Sequence, residues 1–109
     1  MLAPFYDEHW LDDNGNPAGG VSTGTGVCIS WQNGTLGRGP ERREPNGAFV
    51  ETVLEMLSNR LGFYQTAAGG RFACPENEEA IVHIQAALAA LERRTWEREA
   101  RQVEGLHQP

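Results

Sequence analysis

Two stretches of this 109-residue chain repeat apolar side chains every three or four residues, and no other feature restricts the possible folds as much. In "PNGAFVETVLEMLSNRLGFYQ", Phe49, Val53, Leu54, Leu57, Leu61 and Tyr64 fall on one helical face. Pro45 and Asn46 mark the start of this helix, with Asn46 as its N-cap. The second stretch opens with Pro75, which suits a first helical turn, and places Glu76, Glu78 and Glu79 at the positive end of the dipole. Ile81, Ile84, Leu88 and Leu91 then continue the apolar stripe, and Gly105 ends the pattern. Gly62 and "TAAGG" loosen the end of the first helix. A connection of about nine residues is short enough to fold the pair into an antiparallel hairpin.

Upstream, residues 1–45 are rich in Gly, Asp, Asn and Pro and show no helical period. The β-compatible run Val27 to Gln32 is followed by Asn33-Gly34, a hairpin signal, and Asn14-Gly15 offers a second turn behind "HWL". The predicted class is α+β: a small N-terminal antiparallel β-sheet followed by a C-terminal antiparallel two-helix hairpin. It is read as one domain over 1–109, with a β-rich region at 1–45 and the hairpin at 46–105. A chain this short has a thin stability margin, and oligomerisation would help it. No apolar run approaches the ~20 residues of a membrane span, and "MLAPFYDEHW" lacks the features of an export signal. A cytoplasmic protein with two reduced cysteines, Cys28 and Cys74, is therefore expected.

The formal charge is −6, which argues against binding long nucleic acid polymers. Yet all nine basic residues are arginine, and Arg93, Arg94, Arg98 and Arg101 crowd into "LERRTWEREARQVEGLH". Spacings of four and three put Arg94, Arg98 and Arg101 on one helix face. Two readings fit. A solvated helix end is served by cations that complement the dipole and pair with Glu97 or Glu99. A phosphate clamp is served by the same forked guanidinium groups, and the interspersed acids suit a discrete ligand better than a polymer.

Phe63 and Tyr64 are either core residues or a stacking surface for a base, and Asn77 is either a capping residue or a polar contact to a nucleotide. The arginines lie roughly 25–30 Å along the second helix from the end near Tyr64. A pocket using both ends must therefore be shared between two chains. His9, His83 and His107 are scattered, the cysteines form no zinc motif, and no Gly-rich phosphate loop with lysine exists. No catalytic residue, metal site or cofactor is assigned.

The ordered segments "ISWQNGTLGRG", "EPNGAFVE", "FACPEN" and "RRTWEREARQVEGLH" resemble the phage Thoeris anti-defence protein 1 family, across Ile29 to His107, about three quarters of the chain. That family shares its helical hairpin with the anti-CBASS cyclic-nucleotide sponges. The most specific part is the set Asn77, Arg94-Thr95, Arg98 and Val103-Glu104-Gly105.

The resemblance implies a non-enzymatic sponge that sequesters a glyco-cyclic ADP-ribose isomer in the cytoplasm of the infected bacterium. Cyclic di- or trinucleotides of CBASS immunity are implied as second ligands, and a homo-oligomer, dimer or hexamer, as the assembly. The implied contacts are Phe63 or Tyr64 on the base, Asn77 as the polar contact, and Arg94 and Arg98 on the phosphates. Departures from the family pattern are the inserted "TAAGG", Pro75 in place of a basic residue, and Leu106 in place of threonine. A different class fits the same residues: a small phage structural or protein-interaction module that holds a partner with the arginine-rich helix.

Overall fold

A computed structural model describes residues 3–102 and 104–107 of the chain. The element order is β1 (Phe5–Leu11), β2 (Pro17–Gly24), β3 (Val27–Trp31), a short 3-10 turn (Gly39–Glu41), α1 (Val50–Gly70) and α2 (Pro75–Ala100). The expected α+β class is borne out, with the three-stranded antiparallel sheet first and the two helices after it. The chain divides into two compact units. One holds the residues up to Phe49 together with those from Arg98 onward, and the other runs from Val50 to Glu97. No helix among the described residues is long and apolar enough to cross a membrane.

In the first unit the strands follow one another as a meander. The β1–β2 turn is the expected one at Asn14-Gly15: the Asp12 carboxylate accepts the backbone N–H groups of Asn14 and Asn16, both at 2.9 Å. Gly15 there takes φ +80°, a conformation that favours glycine. The β2–β3 turn was not anticipated. Gly24 pairs with Val27 across Thr25 and Gly26, so the glycine-rich run "PAGGVSTG" is the central strand. The Asn33-Gly34 signal is not a hairpin, because β3 ends at Trp31 and the chain instead returns to bridge Ala48 to Trp31.

Asn46 is likewise not a helix cap, since α1 begins at Val50. Its carboxamide accepts from the Asn33 N–H at 2.8 Å and donates to the Asn33 carbonyl at 3.0 Å. Its backbone N–H donates to the Gln32 side chain at 2.9 Å. A polar side chain that can cap a helix can equally close a loop, and here the loop wins.

The second unit is an antiparallel helical hairpin. Gln85 Nε2 donates to Ser58 Oγ at 2.9 Å, and Gln65 Nε2 approaches Glu78 Oε2 at 3.4 Å. These links join residues seven apart on each helix in opposite order, so both helices keep one register over two turns. Half-buried positions of α2 include Asn77, Ile81, Ile84, Leu88, Leu91 and Thr95, alternating four and three apart, with Ala80 and Ala87 beside them. α1 departs from helical geometry at Ala67, Ala68 and Gly69, within the "TAAGG" segment. Gln65 closes the connection by bonding both the N–H and the carbonyl of Cys74, at 3.0 and 3.1 Å. Among the described residues no apolar side chain is fully buried, and both cysteines are free.

Two glycines should respond oppositely to alanine. Gly20 has φ +151°, and a Cβ there would collide with the Glu8 carbonyl oxygen. Gly20→Ala is expected to lower stability by about 2 kcal/mol or more in chemical unfolding. Gly62 sits inside α1 with open space where a Cβ would go. Gly62→Ala should raise stability by about 0.5–1 kcal/mol in the same measurement.

Candidate functional site

Within the helical hairpin the candidate residues separate toward its two ends. Phe63 and Tyr64 lie near the end of α1 that meets the start of α2, where they remain 52% and 38% exposed. Their rings pack edge to face, with centroids 5.8 Å apart and planes at 61°. The Arg60 guanidinium lies over both rings, 5.1 Å from the Phe63 centroid and 4.9 Å from that of Tyr64, and its Nε donates to the Tyr64 hydroxyl at 3.2 Å. Sequence reasoning missed Arg60. Its spacing of three and four residues from the two aromatics is the signal that could have found it.

Asn77 occupies the first turn of α2, at the same end of the hairpin and at about the level of Thr66 in the register set by Gln65 and Glu78. It is half-buried on the inward stripe, and its amide makes no hydrogen bond to any described residue. Arg94 stands 17 residues further along α2, about 25 Å away at 1.5 Å per residue. It is exposed and has no ion pair or hydrogen bond among the described residues. One hairpin thus offers an aromatic and amide end and, well apart from it, a cationic end. The fold does not bring these candidates together within a single chain.

Arg98 belongs to the other compact unit and is held differently. It is only 5% exposed. Its Nε donates to Glu104 Oε2 at 3.0 Å, and its Nη2 donates to the Leu106 carbonyl at 2.9 Å. A ligand phosphate could engage this guanidinium only by replacing such bonds.

Arg101, expected on the same helix face as Arg94 and Arg98, follows the end of α2 at Ala100 and sits in a turn. Val103, part of the terminal motif, lies outside the described residues. Gly105, two residues on, takes φ +84° and packs against Gly37, whose N–H donates to the Gly105 carbonyl at 2.9 Å. Arg38 then grips Glu99 through two parallel bonds of 3.0 and 2.9 Å and donates to the Glu104 carbonyl at 2.9 Å. The hydrogen bonds from Arg38 hold the Glu99 carboxyl below its ordinary value, and Arg38 is raised in turn.

No group of His, Cys, Asp or Glu among the described residues is arranged to hold a metal ion. What the arrangement can do chemically is stack and pair. An aromatic pair under a cation suits the face of a base. A free carboxamide suits a polar edge, and a free guanidinium suits phosphate oxygens.

Known proteins add one strong similarity. The chain is 41% identical over 63 residues to the protein named Thoeris anti-defense 1 of Bacillus phage SBSphiJ7. The aligned segment covers 58% of this chain but only 42% of that relative, so the chain spans less than half of its length. No protein-family model matches. The similarity bears out the resemblance to the Thoeris anti-defence 1 family drawn from the motifs.

The clasp between Arg38 and Glu99 has a definite pH signature. A lowered carboxyl pKa means that its contribution is complete above the ordinary carboxylate value and is lost as pH falls through the lowered one. In an NMR titration the Glu99 carboxyl should titrate below its ordinary value, and Arg38→Ala should return it upward.

Proposed function

We propose that this chain acts against Thoeris immunity as a sponge, sequestering a cyclic ADP-ribose isomer without cleaving it in the cytoplasm of a host bacterium. The anti-defence role is carried over from the name of the similar phage protein. The ligand class follows from the site chemistry together with the family resemblance. The observation that carries the reading is that Asn77 and Arg94, which have no side-chain partner among the described residues, lie on a hairpin that also exposes the Phe63–Tyr64 stack.

The separation of the two ends, about 25 Å, makes the pocket a property of two chains. When one hairpin runs antiparallel to another, the aromatic and amide end of the first meets the arginine end of the second. The base then stacks on Phe63 or Tyr64 below Arg60, Asn77 bonds a polar edge, and Arg94 neutralises phosphate oxygens. Arg98 takes a supporting place: it orders the end of α2 through Glu104 and reaches a phosphate only by exchanging that bond. Such a site needs desolvated, satisfied contacts and no general base, so binding without turnover is its natural outcome. The same chemistry, an anionic ring with stacked bases, makes cyclic di- and trinucleotides candidate second ligands.

Native mass spectrometry after incubation with cyclic ADP-ribose isomers and cyclic oligonucleotides should show a homo-oligomer carrying the intact isomer. Arg94→Ala and Asn77→Ala should each reduce uptake at least tenfold, equivalent to about 1.4 kcal/mol, while the circular dichroism of the helices is unchanged. Heating the loaded protein should release the isomer chemically intact. A hydrolysed product would identify an enzyme. Absence of any ligand mass, together with a stable complex with a partner protein, would favour the interaction module.

A further inference from the structure

The sheet has two edges, and the fold treats them differently. Beside β3, Ala48 accepts from the Gln32 N–H at 2.9 Å and donates to the Ser30 carbonyl at 2.8 Å, so that edge is partly covered. Beside β1 no described strand pairs. All seven residues of β1 are exposed, including Phe5 at 68%, Tyr6 at 57% and Leu11 at 69%. The strand is also regular along this side. The register shift between His9 and Leu11 sets Ala18 and Gly19 of β2 opposite Trp10 alone, so the extra residue sits in the central strand. A long, regular edge with its backbone groups unpaired and apolar side chains toward both ends is a template for another strand.

The sequence of β1, "FYDEHWL", specifies which strand. Run antiparallel to itself about Glu8, it sets Phe5 opposite Leu11 of the second copy, Tyr6 opposite Trp10, and Asp7 opposite His9, each pair occurring twice. The pairs also agree in face. Phe5, Asp7 and His9 share one side of the sheet with Ser22, Gly24 and Trp31, while Tyr6, Glu8 and Trp10 share the other. Only Glu8 meets its own kind, and its carboxylate already accepts the Tyr6 hydroxyl at 2.8 Å.

Slipping the register by two residues would lose the Phe5–Leu11, Tyr6–Trp10 and Asp7–His9 pairs together, and slipping it by one would reverse the faces. A hollow of about 390 Å³ lined by Phe5, Asp7, Ser22, Gly24 and Val27 lies across the sheet on the face that carries Phe5. We propose that β1 is a self-pairing strand: two copies of the chain join β1 to β1 antiparallel about Glu8, forming one continuous six-stranded sheet. This surface lies wholly in the β-sheet and does not depend on the nucleotide reading.

The test uses the full chain carrying Cys28→Ser and Cys74→Ser, with one new cysteine at a time. Residues opposed across an antiparallel pair have Cα atoms about 4.5–5.5 Å apart, within disulfide range. Glu8→Cys therefore brings two thiols together on the two-fold axis, whereas Leu11→Cys leaves them about 20 Å apart. Under mild oxidation the Glu8→Cys chain should form a disulfide-linked dimer at least tenfold faster than the Leu11→Cys chain. Adding His9→Glu, which opposes like charges across the pair, should slow that linkage at least tenfold at low salt. Adding Asp7→Arg to His9→Glu should restore it. Equal rates at positions 8 and 11 would overturn the pairing, and a rate indifferent to the charge changes would overturn the register.

Discussion

A guanidinium taken almost wholly out of water must be paired, and at Arg98 that demand organises a large part of the first compact unit. Its bonds to Glu104 and to the Leu106 carbonyl turn the chain back after α2. The returned segment then meets the loop around Gly37 and Arg38, where Arg38 adds its two-pronged hold on Glu99. The exposed pair alone contributes little, as surface ion pairs generally do. Its value lies in acting on a segment that the buried charge has already set in place.

Elsewhere, closure is polar as well. Asn46 ties the loop after β3, Gln65 ties the connection between the helices, and Ser58 with Gln85 links the hairpin midway. No apolar side chain is fully buried among the described residues, and large ones such as Met56, Val82 and Trp96 stay more than half exposed. Specific hydrogen bonds fix register well but supply modest net stability, about 1 kcal/mol each. A chain built this way keeps its geometry from its clasps and leaves much apolar surface exposed.

The helices were legible because the period of three and four survives in the sequence wherever a helix has one wetter face. The central strand was not, because Gly19, Gly20 and Gly24 have no side chains with which to write an alternation. Its place is set by neighbours on both sides. Asn46 and Asn33-Gly34 were misread because the same short amides serve caps, turns and loop clasps alike. At the candidate site, the distance from the Tyr64 end to Arg94 follows from helix geometry and could be anticipated. The edge-to-face contact of Phe63 with Tyr64 could not, since side chains adjacent in sequence diverge on a helix. The burial of Arg98 could not, since it depends on a tail segment whose return has no periodic signature.

The Gln65 side chain imitates a peptide group: its carbonyl and amide engage the N–H and carbonyl of Cys74 as a neighbouring strand would. Everything between these two residues is thereby insulated from the alignment of the helices. Lengthening or shortening that segment changes the size of a closed ring without moving its ends, and ring closure depends only weakly on its length. The non-helical "TAAGG" segment falls inside this ring, and the same junction is the natural place to splice a fluorescent or affinity tag into the chain.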